Sequence, residues 1–81
     1  MESNEKYLQG LKLLLVDDDE ACREFVALAL QDFGAAVTQV PDAEQAVETL
    51  KAQAFDLVTT DKNLPNMDGI SLIRHIREKY G

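Results

Sequence analysis

The chain has 81 residues, 46% of them hydrophobic, which suits one small globular domain or a piece of one and excludes a disordered acidic tail. Eight Lys and Arg against 15 Asp and Glu leave a net charge of −7, which excludes nucleic-acid binding by general electrostatics and disfavours an anionic membrane surface. The single cysteine, Cys22, permits neither a disulfide framework nor a cysteine-based zinc site, and no apolar run approaches the roughly 20 residues of a membrane span, so a cytoplasmic protein is expected.

Residues 1–10 read as a flexible lead-in ending at Gly10, and residues 11–81 as the folded unit. Lys12 to Val16 is a nearly continuous apolar run that stops at three aspartates, the pattern of a strand buried on both faces of a parallel sheet. Asp19 is placed to cap a helix, with Glu20 in the first turn where the dipole favours it. Cys22, Val26, Ala29, Leu30 and Phe33 then recur at helical spacing, which puts Cys22 in the core, and Gly34 closes the helix in a left-handed conformation. Phe25 and Leu28 fall off that stripe, as rim residues or as a patch for a partner. Ala35 to Val40 is a second strand, broken by Pro41-Asp42. Asp42 and Gln45 read as a capping box for a helix that presents Ala43, Ala46, Val47 and Leu50 on one face.

Phe55 to Thr60 is a third strand, and it too ends at an aspartate, Asp61. Residues 62–69 have turn chemistry throughout. From Ile70 a third helix carries Ile70, Ile73, Ile76 and Tyr80 on one stripe and His75 on an exposed flank. The order β-α-β-α-β-α with tight connections predicts an α/β fold with a parallel sheet and right-handed crossovers.

Ligands of open α/β sheets bind outside the carboxyl ends of the strands. If the first and third strands are neighbours, Asp17, Asp18 and Asp61 converge there. Three crowded carboxylates repel one another, a conflict that raised pKa values or a bound cation can relieve, and oxygen-only donors with room for water suit Mg²⁺. Read alone, Asp17 to Glu20 fits a solvated helix start equally well, and Asp61 a turn residue. Two buried strands ending in aspartate at one edge favour the cluster. The run from Asp61 to Pro65 fails as an EF-hand calcium loop, because Pro65 stands at the third ligand position.

The pattern L-L-L-V-D-D-D-E, followed far along the chain by D-L-V-T-T-D-K-N-L-P-N-M-D-G, resembles a response-regulator receiver domain of two-component signalling. The resemblance implies a flavodoxin-like, three-stranded sheet of order 2-1-3 with helices on both faces, the first half of a CheY-like receiver. It implies a phosphoacceptor at Asp61, with Mg²⁺ held by Asp17, Asp18, Asp61 and the backbone carbonyl of Asn63. Pro65 and Gly69 would shape the loop, and Leu64 stands where many members have Met. The implied partner is a sensor histidine kinase or phosphotransfer protein, and the chain is expected to be a phosphoacceptor rather than an enzyme.

A complete receiver has five β/α units, whereas these 81 residues supply three. The Ser or Thr after the fourth strand and the Lys after the fifth have no counterpart, and Lys62 is not assigned to that role. A truncated receiver with impaired phosphorylation is therefore expected. Its third strand should form an open edge, with Leu13, Leu15 and Leu57 left facing solvent on one side, and a homo-oligomer or a complementary chain should cover the open sheet. The alternative function is a non-catalytic interaction or assembly fragment. A hydrolase built on paired carboxylates is the least supported, since no second catalytic group stands apart from the cluster.

Overall fold

Strands and helices alternate as β1 (Lys12–Val16), α1 (Glu20–Asp32), β2 (Ala36–Val40), α2 (Ala43–Ala52), β3 (Leu57–Thr60) and α3 (Gly69–Tyr80). The computed structural model describes residues 7–61 and 69–80. The sheet is parallel, with order β2-β1-β3, as expected. β1 is central because its side chains are apolar on both faces. Leu13, Leu14, Leu15 and Val16 are all buried. No helix among the described residues is long and apolar enough to cross a membrane.

The alternation of strand side chains divides the core in two. Leu14 and Val16 join Val40, Ala43, Ala46, Leu50 and Leu72 in the larger cluster, under α2 and α3. Leu13 and Leu15 join Ala27, with Val26, Leu30 and Val37 packed around them, under α1. Leu13 and Leu15 therefore do not face solvent, contrary to expectation. The small Ala27 lets α1 lie close over them, so among the described residues α1 supplies the helix that covers that face of β1. Leu57 is 46% exposed, as expected for the edge strand.

Local signals act where they were expected. The Asp19 carboxylate accepts from the Cys22 amide at 3.0 Å, and that of Asp42 accepts from the Gln45 amide at 2.8 Å, capping α1 and α2. The apolar face of α2 is as the spacing predicts, with Ala43, Ala46 and Leu50 buried. Gly34 has φ +102°, which favours glycine, and a Cβ there would lie tight against the backbone of Gln9 at 3.1 Å. The described end of the lead-in docks at this point. Leu8 donates its amide to the Phe33 carbonyl at 2.9 Å, and the Tyr7 and Phe33 rings lie 6.0 Å apart.

Two helix phases differ from expectation. α1 buries Ala27 and half-buries Val26 and Leu30, while Cys22 and Ala29 are exposed. α3 buries Gly69 and Leu72 and packs Ile76 against the core, while Ile70 and Tyr80 are 58% and 47% exposed. His75 follows Leu72 on this inner stripe. It is half-buried rather than exposed, and its Nε2 has no hydrogen-bond partner among the described residues.

Leu14 packs in the larger cluster at the centre of the sheet, whereas Asp42 stabilises one helix end. Leu14→Ala is expected to cost about 3 kcal/mol in urea unfolding and Asp42→Ala about 1 kcal/mol.

Candidate metal centre

The parallel ladder delivers the candidate residues to one edge. Val16 lies opposite both Val40 and Thr60. One step further, the Asp17 amide donates to the Val40 carbonyl at 3.2 Å, and the Asp61 amide donates to the Val16 carbonyl at 3.0 Å. The register of β3 is also held at its start. Asp56 donates its amide to the Lys12 carbonyl at 2.7 Å, and its carboxylate accepts from the Lys12 amide at 2.8 Å. Pinned at both ends, β3 sets Asp61 beside the β1–α1 turn.

Asp17, Asp18 and Asp61 each offer a carboxylate oxygen there, and the three oxygens lie within 4.8 Å of one another. Asp17 is half-buried, and the other two are exposed. Asp19 is withdrawn from the cluster by its capping bond, as the sequence predicts. Its amide donates to Asp17 Oδ1 at 3.0 Å and so orients that carboxylate. Asp17 and Asp61 line a pocket of about 340 Å³ together with Asp19, Cys22, Thr59 and Thr60. At this spacing each carboxylate pair repels by about 1 kcal/mol even in water. The donor set is all oxygen, hard and open to solvent, which fits Mg²⁺ with part of its water retained. Asn63, the fourth expected contributor, lies outside the described residues, as do Lys62, Leu64 and Pro65.

Cys22 stands at the rim of this pocket, not in the core. Partial desolvation and the nearby carboxylates of Asp17, Asp19 and Asp61 push its thiol above the ordinary range, so it stays protonated at neutral pH. Two contributors escaped sequence reasoning. Asp56 clamps the start of β3, and Arg23 donates from Nη1 to the Asp17 carbonyl at 2.7 Å. Arg23 could have been noticed as the one cation in the acidic segment 17–24, but its acceptor is a backbone group, which no residue pattern announces.

The family model described as the response regulator receiver domain matches residues 13–81. The chain belongs to this family. Among curated proteins, the receiver is similar to the autoinducer 2 sensor kinase/phosphatase LuxQ of Vibrio vulnificus, 44% identical over 70 residues that are 86% of this chain and 8% of LuxQ. The transcriptional regulatory protein CseB of Streptomyces coelicolor is 42% identical over 83% of this chain and 29% of its own length. The chemotaxis protein CheY-3 of Vibrio cholerae is 41% identical over 85% of this chain and 54% of its own. Among solved structures, the chemotaxis response regulator CheY4 of Vibrio cholerae superposes with TM-score 0.82 at 32% identity, covering 85% of this chain and 57% of that one. The receiver domain of the Francisella response regulator 1452 superposes with TM-score 0.82 at 27% identity, covering 86% and 58%. This chain thus spans about half the length of the solved receivers it matches, and their fold half is the one described above. Receiver domains are phosphoacceptor modules of two-component signalling that bind Mg²⁺ through acidic residues, and an acidic cluster of that kind is present here.

Mutual repulsion in this cluster opposes folding when no cation is bound. In metal-free, low-salt buffer Asp61→Asn is expected to stabilise the chain by about 1 kcal/mol in urea melts. The gain should fade as salt approaches about 1 M, where the screening length is about 3 Å.

Proposed function

We propose that the chain is a phosphoacceptor module in which Asp61 takes a phosphoryl group and Asp17, Asp18 and Asp61 hold Mg²⁺, joined by the backbone carbonyl of Asn63. The observation that carries this reading is the convergence of the three carboxylate oxygens at the ends of β1 and β3. The donor is a phosphohistidine on a sensor histidine kinase or phosphotransfer protein. An Asp61 carboxylate oxygen attacks phosphorus in line with the scissile bond. The new P–O bond forms as the P–N bond breaks, and the imidazole nitrogen leaves with the electron pair. Mg²⁺, when bound, neutralises charge between the anionic acceptor and the anionic phosphoryl group.

The local structure suits that division of labour. Asp17 has one oxygen engaged by the Asp19 amide, so it is a fixed group suited to holding a cation. Asp61 is exposed at the end of a strand, within reach of a donor protein. The protonated Cys22 thiol beside them is a poor competitor for the phosphoryl group. These 81 residues contain no counterpart of the Lys expected after a fifth strand, so transfer to the 81-residue polypeptide should be slow. With a small phosphodonor and Mg²⁺, mass spectrometry should show gain of one phosphoryl group. Chelation of the metal or Asp61→Asn should abolish it. A gain that persists in Asp61→Asn overturns the assignment.

A second reading, assembly through the sheet edge, is favoured by one observation. β3 is the outer strand, and the exposed Leu57 and Ile70 flank it. In this reading the purified chain forms a homo-oligomer or binds a complementary polypeptide along β3. Light scattering should give a mass above that of the 9.0 kDa monomer. A monomer with a cooperative melt overturns it.

A further inference from the structure

Arg23 stands beside the acidic pocket, yet among the described residues it pairs with no carboxylate. Its guanidinium is a planar fork whose donors point in fixed directions. Nη1 donates to the backbone carbonyl of Asp17 at 2.7 Å, and Nε donates to Gln39 Oε1 on β2 at 3.3 Å. The Asp17 residue is consequently held at three points. Its amide is bonded to the Val40 carbonyl, its carbonyl to Arg23, and its carboxylate to the Asp19 amide. The bond from Arg23 is charge-assisted and part-buried, so it is stronger than a neutral backbone bond. It ties the turn after β1 to β2 and to the second turn of α1.

We propose that Arg23 is a positioning residue for the acidic pocket, holding the Asp17 peptide so that Asp17 and Asp18 present their oxygens to a divalent cation together with Asp61. This rests on the reading of the pocket as a Mg²⁺ site. The direction of the guanidinium is what separates positioning from simple charge balance. A cation placed to neutralise the cluster would bond a carboxylate and occupy a donor that the metal needs. Arg23 takes a carbonyl instead and leaves the carboxylate oxygens available.

Charge and position act in opposite directions, which makes the test decisive. Through space, the positive Arg23 repels Mg²⁺, so its removal on electrostatic grounds alone tightens binding. Removal of a positioning group loosens it. Calorimetric titration of the chain with Mg²⁺ should show Arg23→Gln weakened by about tenfold, the lower end of what groups supporting metal ligands commonly cost. Arg23→Lys keeps the charge and can reach one acceptor but not both, so it should restore part of the affinity. Gln39→Leu, which removes only the weaker anchor, should weaken binding less than Arg23→Gln.

Gly34→Ala serves as the stability control, because Gly34 precedes β2 at the amino end of the sheet, opposite the edge that carries the pocket. It should keep the parent affinity, whereas a merely structural role for Arg23 predicts that affinity follows stability in both variants. Unchanged or tighter Mg²⁺ binding in Arg23→Gln, with the parent chain binding normally, overturns the role of Arg23 alone. Absence of Mg²⁺ uptake by the folded parent chain overturns the metal reading and this inference with it.

Discussion

The pairing register of β1 with β3 is the constraint on which the rest of the structure depends. A slip of one residue would exchange the two faces of β3. Val58, which packs on the larger cluster beside Leu14, would then turn toward α1, and Leu57 and Thr59 would turn toward α2 and α3. The same slip would move Asp61 off the amide-to-carbonyl bond with Val16 that places it beside Asp17. Core packing and site assembly therefore select the same register. The paired bonds between Lys12 and Asp56 reinforce it from the opposite end of the strand.

Acidic residues have three different uses within this short chain. Asp19 and Asp42 satisfy the first amides of helices and interact favourably with their dipoles. Asp56 is a clamp between strands. Asp17, Asp18 and Asp61 meet in one place, where their like charges repel one another even though Asp17 also accepts from the Asp19 amide. Three carboxylate oxygens within 4.8 Å of one another oppose stability when no cation lies between them. In the proposed reading, a bound cation would carry the charge that compensates this conflict.

Where the fold was legible, the signal was unambiguous chemistry. An apolar run ending in aspartates gave β1, cap residues gave the starts of α1 and α2, and a single apolar face gave the packing of α2. Asp17, Asp18 and Asp61 were legible for the same reason. Where it was not, periodicity had more than one solution. α1 carries apolar residues nearly all round, from Ala21 through Leu30, so the expected seam shared Val26 and Leu30 with the true one but ran through Cys22 and Ala29 instead of Ala27. In α3 the three isoleucines form a tidy stripe, but Leu72 faces the core. Volume decided α1 instead of spacing, since Ala27 permits the close approach that buries Leu13 and Leu15. Arg23 and Asp56 act through backbone groups of other elements, which become visible only after the fold has brought them together.

The distribution of exposed apolar side chains bears on how the site is approached. Among the described residues, no large exposed apolar side chain lies on β2 or α2. Leu57 shares the sheet face of Leu13, whereas Ile70 lies with Ile73 beside Thr60 at the start of α3. The two therefore flank the free edge of β3 from opposite faces. Asp61 ends that same strand. β1 and its turn bound the acidic pocket on one side, and the edge of β3 lies on the other. A polypeptide that paired with the outer edge of β3, unpaired among the described residues, would end close to Asp61. In the proposed reading, pairing at that edge and phosphoryl transfer at Asp61 are coupled by geometry, because Asp61 directly follows the four-residue strand that would be paired.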